Sequence, residues 1–128
     1  DYILGWAVTP TTITLNITAQ TWGWIGFGLG EAGGMKGADL VIANVDDESG
    51  EFTVTDYFAL ANGIPTLDEC QSWVGIKGKQ YVGGDGLFWS NVILRRFLDS
   101  GDINSDRVIR NDGVRTKVLV AFGDLDDF

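Results

Sequence analysis

Histidine is absent from this 128-residue sequence, and that absence excludes more functions than any other feature of the chain. Without imidazole there is no histidine to act as a general acid or base, and no Ser–His or Cys–His nucleophile pair can form. The usual protein ligand of zinc, copper and non-haem iron is missing as well. We therefore expect a non-catalytic protein, not an enzyme.

Cationic side chains are scarce. Nine Lys and Arg residues stand against 18 Asp and Glu residues, which gives a net charge of −9. Nucleic acid is an unsuitable partner for such a chain, because binding phosphates requires clustered cations. Anionic membrane surfaces are disfavoured for the same reason, and no apolar run is long enough for membrane insertion. Metal cations and neutral glycans are compatible with this acidic composition.

The sequence has a single cysteine, Cys70. It cannot form a disulfide within the chain. Two alternatives follow, a buried thiol or a bridge to another chain or domain.

The residues that are plentiful predict β-structure. Segment 12–19 alternates between apolar and polar residues, which is typical of a half-buried antiparallel strand. Turn sequences rich in Gly, Asp, Asn and Pro separate other strand-like segments, and 18 glycines disfavour helix. The predicted strands lie at about 2–8, 12–19, 24–29, 39–45, 51–59, 71–77, 87–97 and 116–122. We expect one all-β domain over residues 1–123, a sandwich of antiparallel sheets, followed by an acidic C-terminal tail at 124–128.

Asp39 is the most informative candidate ligand. It stands at the start of a predicted buried strand, directly before Leu40. A carboxylate in that position needs either a cation or several N–H donors. A hard cation such as Ca²⁺ or Na⁺ would accept Asp39 together with carbonyl oxygens of neighbouring strands. The alternative is a turn cap that accepts backbone N–H groups.

Other carboxylates give weaker indications. Residues 102–106 match the opening of a calcium loop, but Arg107 and Gly113 stand where that loop requires glycine and glutamate. A solvated turn is the better interpretation there. The acidic pairs at 46–47 and 68–69 lie in loop-like sequence with no apolar pocket to raise one pKa, which argues against glycosidase activity.

Aromatic residues suggest a sugar-binding surface. Trp22 lies beside a predicted turn, and with Tyr81 it is a candidate platform for a pyranose ring. Trp6, Trp24 and Trp89 lie inside predicted strands, so we expect them in the core.

Two further residues suggest a cofactor or a modification. Met35 could offer its thioether to haem iron, but a six-coordinate site normally has a histidine opposite, and the alternative is a core or loop residue. The tripeptide at 16–18 is an N-glycosylation sequon, with Asn16 on the polar face of its strand.

Several motifs together resemble the DOMON family, and the resemblance covers nearly the whole chain. The matching segments are Trp6, Gly23-Trp24-Ile25-Gly26-Phe27-Gly28, Met35-x-Gly37-Ala38-Asp39-Leu40-Val41, Val45-Asp46-Asp47, Thr55-Asp56-Tyr57, Leu67-Asp68-x-x-Gln71, Arg96-Phe97-Leu98-Asp99-x-Gly101-Asp102 and Val120-Ala121-Phe122-Gly123. The chain is most similar to the N-terminal DOMON domain of dopamine β-monooxygenase-like proteins. The resemblance implies an immunoglobulin-like antiparallel β-sandwich of about ten strands, secreted or displayed at the cell surface. In those proteins the copper chemistry belongs to separate His-rich domains.

In this branch of the family the resemblance also implies a small metal site. The matching positions are the Asp39 carboxylate, the backbone carbonyls of Leu40 and Tyr57, and an acidic position that falls on Ser72, beside Gln71. Ser72 departs from the pattern because it is a neutral and weaker ligand. Ca²⁺ or Na⁺ is the expected ion. In the haem-carrying branch the axial methionine falls near Met35, but its histidine partner has no counterpart, so haem is not expected.

Three hypotheses follow. The first is a non-catalytic extracellular DOMON domain, a binding, interaction or structural module with a structural cation, whose partners are other protein domains, itself or glycans. The second is a b-type haem redox domain that uses Met35 with Lys36, Lys117 or Tyr57. The third is a carbohydrate-binding module that uses the Trp22 and Tyr81 platform.

Overall fold

The computed structural model describes residues 1–30, 37–60, 64–101, 108–110 and 115–124. Over these residues the chain forms nine strands: β1 (Tyr2–Val8), β2 (Thr12–Ala19), β3 (Ile25–Leu29), β4 (Asp39–Val45), β5 (Phe52–Phe58), β6 (Thr66–Leu67), β7 (Val74–Val82), β8 (Phe88–Phe97) and β9 (Val118–Phe122). They pair in two antiparallel sheets, one in the order β1-β2-β8-β7 and the other in the order β6-β5-β4-β3-β9. The two sheets pack as a sandwich, which confirms the predicted all-β fold.

The core lies between the two sheets and follows the period of two along each strand. The apolar residues of β2, which the alternation places on one face, are all buried. They pack against Phe27 and Val41 from the opposing sheet, and Trp73 joins the same cluster. Burial of these side chains supplies the main favourable term in folding.

The hairpin predicted at residues 46–50 joins β4 to β5. Asp46 Oδ1 accepts hydrogen bonds from the amides of Ser49, at 2.8 Å, and Glu48, at 3.0 Å. The Ser49 amide and hydroxyl, with the Glu48 amide, hold the pKa of Asp46 below its ordinary value of 3.8. Gly50 closes the turn with a φ of 72°, in the left-handed region that glycine adopts readily.

Several details of the elements differ from the predictions. The strand predicted at 71–77 lies at Val74–Val82, and the short strand β6 was missed. Trp6 is 66% exposed and lies outside the core, because β1 is an edge strand and only its Tyr2 and Leu4 pack against the buried cluster. Trp24 and Trp89, also expected in the core, are half-buried and lie outside that cluster. The remaining strand predictions agree with the structure to within a few residues.

Candidate functional site

A charged group from each sheet meets inside the sandwich. Asp39 begins β4 on the inward face, and Arg96 lies on the inward face of β8 in the other sheet. Arg96 Nη1 donates to Asp39 Oδ2 at 2.8 Å, and both side chains are almost completely buried. The cation that the Asp39 carboxylate requires is therefore present in the chain itself, as a guanidinium group.

Further contacts fix the Arg96 side chain. Its Nε donates to the carbonyl of Phe97 at 3.0 Å. The guanidinium lies over the ring of Trp73, 5.4 Å from the centroid, which is a cation–π contact. Trp73 itself is buried. Because the guanidinium is held on several sides, it is a fixed part of the core rather than a mobile counter-ion.

A second buried carboxylate lies on the inward face of β5. Asp56 has no exposed surface. Its Oδ2 accepts from the amide of Ser72 at 2.7 Å, and its Oδ1 accepts from the amide of Trp73 at 3.4 Å. Gln71 adds two bonds to the Asp56 backbone, one to the amide and one to the carbonyl. Asp56 therefore links the segment before β7 to β5.

The structure divides the predicted metal-binding set into two groups. Leu40 and Tyr57 face each other across β4 and β5, next to Asp39. Gln71 and Ser72 lie instead against Asp56. Any cation at Asp39 would have to share the carboxylate with Arg96. Among the described residues no cluster of three or more His, Cys, Asp or Glu is placed to hold a metal ion. The cation site at Asp39 stays a prediction.

Some predicted residues lie outside the described part of the chain. They include the haem-ligand candidates Met35 and Lys36 and the acidic residues 102–106. The other haem candidates, Lys117 and Tyr57, are described: Lys117 is exposed, and partial burial raises the pKa of the Tyr57 phenol. Burial thus disfavours the phenolate form that would bind iron.

The predicted sugar platform is split between two faces. Tyr81 pairs with Trp89 across β7 and β8, so both rings share the outer side of the four-stranded sheet. Trp22 packs against Phe88, 4.6 Å between ring centroids. Phe88 precedes Trp89 in the strand and therefore points to the opposite side. Trp22 and Tyr81 do not form one surface.

Cys70 and Asn16 are both at the surface. Cys70 is exposed, so the buried-thiol alternative was wrong. Asn16 is exposed on β2, as the alternation predicts, and its Oδ1 accepts from Asn91 Nδ2 at 2.7 Å. Its glycosylation stays a prediction.

An apolar groove of about 460 Å³ crosses the outer face of the five-stranded sheet. Its floor is the glycine column of β3, since Gly26 and Gly28 lack side chains there. The walls are outward-facing apolar residues of the two flanking strands, and Trp24, Ile64 and Pro65 line it further. Across β3 the wall residues are Leu40 and Ile42 of β4 and Leu119 and Ala121 of β9.

Adding a side chain to either glycine would crowd the side chains that line the groove. A Cβ at Gly28 would come 2.4 Å from Leu40 Cδ2, and a Cβ at Gly26 would come 3.3 Å from the Trp24 ring. The glycines of β3 thus leave room for the Leu40 and Trp24 side chains, which lie close over the strand and line the groove. Pockets that bind small ligands are commonly of this size and lining.

Sequence reasoning missed the roles of Arg96 and Asp56, although the signal was present. Each lies on the same face of its strand as the apolar residues that point inward: Arg96 with the buried Val92 and Leu94, and Asp56 with the partly buried Val54. A charge at an inward position must be paired or hydrogen-bonded. Period-two alternation could have singled out both residues. The groove had no comparable signal, because it depends on which strands flank β3.

The fold and its interior define a class, an antiparallel β-sandwich with a buried ion pair between its sheets. The family model of the DOMON domain matches residues 1–123, and the chain belongs to that family. It is similar to MOXD1 homolog 2 of Drosophila melanogaster, 31% identical over 117 residues. It is also similar to the human DBH-like monooxygenase protein 1, 36% identical over 61 residues, which are 48% of this chain.

These relatives are much longer than the present sequence. The alignment with the Drosophila protein covers 90% of this chain but 14% of that relative, and the alignment with the human protein covers 10% of its length. Within the described residues, no helix is long and apolar enough to cross a membrane.

Proposed function

We propose that this chain is a non-catalytic, extracellular DOMON module that binds a ligand in the groove over β3. The observation that carries this proposal is the glycine column at Gly26 and Gly28, flanked on both sides by apolar side chains. Glycine inside a strand allows a close approach to the backbone; here Leu40 and Trp24 make that approach and form the apolar walls of the groove. The extracellular location is supported by the family to which the chain belongs.

The groove favours an uncharged, largely apolar small molecule. Among the described residues, the side chains that line it are aliphatic, aromatic or proline, and none is charged. Desolvating an ionised group on such a surface would be costly, whereas apolar contact area is gained. Trp24 gives the site an aromatic wall and an intrinsic fluorescent reporter.

Both the sequence and the structure support a non-catalytic role. The sequence has no histidine. The buried charges of the described residues are engaged structurally, Asp39 with Arg96, Asp56 with backbone amides, and Asp68 with the amide of Cys70. A general acid or base needs a titratable group that is free to exchange a proton with substrate.

Ligand binding in the groove can be tested with a dye and with a variant that fills the groove. Nile red, an uncharged apolar dye, should bind with saturation at about one site per chain and quench Trp24 fluorescence. Ala121→Phe places a ring between the groove walls and should weaken dye binding at least about tenfold, which corresponds to 1.4 kcal/mol. Ala7→Phe is the matched control, since Ala7 is also exposed but lies on β1 of the other sheet.

Two outcomes would contradict the proposal. Equal dye affinity in the Ala121 and Ala7 variants would place the dye elsewhere. A Soret band in the purified protein would instead favour the haem-binding alternative, in which the same module carries electrons. An absorption spectrum recorded before the titration distinguishes these cases.

A further inference from the structure

The outer face of the four-stranded sheet is basic, although the chain as a whole is acidic. By register, Lys77 and Lys79 of β7 and Arg95 of β8 all point outward from this sheet. None of its four strands contains an Asp or Glu. We call the outward-facing side chains of β1, β2, β7 and β8 the basic face. It concentrates positive charge on a protein with a net charge of −9.

The cations of the basic face are exposed and available to a ligand. Among the described residues, none of the three has an acidic group within ion-pair distance. Lysines on an edge strand such as β7 also discourage strand-to-strand aggregation. That explanation does not extend to Arg95, because β8 is hydrogen-bonded on both sides.

Polar side chains beside these cations are held in place. Asn91 Nδ2 donates to Asn16 Oδ1 at 2.7 Å and to Thr18 Oγ1 at 3.0 Å. Arg95 Nε donates to Thr14 Oγ1 at 3.1 Å. These bonds join β2 to β8 in the middle of the sheet. The polar part of the basic face is therefore organised before any ligand arrives, which lowers the entropy cost of binding.

An aromatic pair borders the same face. Tyr81 and Trp89 are opposite each other across β7 and β8. Lys79 Nζ lies 5.2 Å from the centroid of the Tyr81 ring. Aromatic side chains give a flat apolar surface beside the charges.

We propose that the basic face binds an acidic polysaccharide, a linear chain of sugars that carries carboxylate or sulfate groups. Lys77 and Lys79 are two residues apart on one side of a strand, so their Cα atoms are about 7 Å apart. Their ammonium groups and the Arg95 guanidinium would meet the anionic groups. The amides and hydroxyls around Asn91 match sugar hydroxyls. The aromatic pair offers a surface for a pyranose ring.

An acidic peptide fits these observations less well. An extended peptide binds a sheet chiefly through backbone pairing along an exposed edge. Arg95 and Asn91 lie on β8, inside the sheet, where no free backbone edge exists. The proposal does not depend on the groove over β3, because that groove is on the outer face of the other sheet.

The test is affinity for defined polymers, measured by calorimetry on protein made in a bacterial host. Such protein carries no glycan at Asn16, the residue of the basic face that lies in the predicted sequon. We expect heparin and hyaluronan to bind and neutral dextran not to bind. Binding should weaken as salt concentration rises. Lys77→Glu/Lys79→Glu should weaken binding at least about tenfold, because attraction becomes repulsion.

The matched control carries the same charge change elsewhere. Arg115 and Lys117 are exposed cations before β9, in the other sheet, and Arg115→Glu/Lys117→Glu should leave affinity within about twofold. Equal weakening by both double variants would reduce the effect to net charge and overturn the proposal. Polyglutamate binding as tightly as heparin would identify an acidic peptide instead, and the absence of binding to both acidic polysaccharides would also overturn it. Ala121→Phe, which fills the groove, should leave heparin affinity unchanged.

Discussion

At the scale of single residues, the central feature is the pair formed by Asp39 and Arg96. Burying two charges costs solvation energy that their attraction only partly returns, so such a pair is weak evidence for extra stability. Its geometry suggests another role. It joins β4 of one sheet to β8 of the other through one directional bond. A pair of this kind fixes how the two sheets are set against each other more strongly than apolar contact alone.

Removing one partner is expected to be far more harmful than removing an exposed charge. Arg96→Met leaves the Asp39 carboxylate buried without its cation, and we expect a loss of about 3–5 kcal/mol in the free energy of unfolding. Arg95→Met is the matched control, since Arg95 is the neighbouring residue and is exposed. Its effect should stay within about 0.5 kcal/mol. Urea unfolding of both variants measures the difference.

The double variant Asp39→Leu/Arg96→Met sharpens this prediction. Replacing both charges with apolar residues of similar volume should restore most of the lost stability. If the single Arg96 variant unfolds at the same urea concentration as the wild type, the ion pair has no structural role.

At the scale of strands, β7 is the element that the sequence predicts least well. Its segment Val74–Val82 contains Gly75, Gly78 and three polar residues, so it lacks clear alternation. The structure gives the reason. The Phe52 ring of β5 lies against both glycines, and a Cβ at Gly78 would come 2.6 Å from Phe52 Cδ1. Gly75 and Gly78 are required because the Phe52 ring occupies the space beside them. Local alternation in the sequence does not reveal this requirement, because Phe52 belongs to another strand.

We expect Gly78→Ala to destabilise the sandwich by about 1–3 kcal/mol, the usual cost of overfilling a packed core. Gly84→Ala is the matched control, because no atom lies within 4 Å of a Cβ at that position. Adding Phe52→Leu to Gly78→Ala should recover part of the loss by making room for the new methyl group. Thermal unfolding followed by circular dichroism gives the comparison. Equal melting temperatures for the Gly78 and Gly84 variants would contradict the packing argument.

Strands with one apolar face were predictable for a physical reason. In β2 every second residue faces the core, so the alternation of apolar and polar residues indicates which side chains are buried. Within the described part of the chain, the two-residue strand β6 pairs with the end of β5, and both its residues are exposed. The exposure of Trp6 could not be predicted from local alternation either. Its strand was predicted correctly, but the edge position that leaves it exposed depends on strand order, which local alternation does not contain.

At the scale of the whole molecule, the candidate ligand surfaces are the outer faces of the two sheets. One is an apolar groove over β3, and the other is the basic face across β2, β8 and β7. The glycine-rich strand and the polar face of β2 were predictable from the sequence. The two surfaces to which they belong were not. Each surface arises from neighbours that are distant in the chain, such as β3 beside β9 and β2 beside β8.

The predicted cation would stabilise the whole molecule, and thermal unfolding can test for it. Asp39 also pairs with Arg96, so its removal lowers stability whether or not calcium is present. The informative comparison is therefore the wild type with calcium and with chelator. At free calcium 100-fold above its dissociation constant, one bound ion would add about 2.7 kcal/mol. Identical melting temperatures with calcium and with chelator would contradict the predicted calcium site.

The pairing of β2 with β8 has a consequence for how the chain acquires its structure. Asn16 and Asn91, which meet in this pairing, are 75 residues apart. A contact between such distant segments closes late, so we expect this domain to fold in milliseconds to seconds rather than in microseconds. During synthesis the β1–β2 hairpin forms long before β8 is made. Until then the edge of β2 that pairs with β8 stays unpaired. A chain that stops before β8 is therefore expected to aggregate instead of forming half a sandwich.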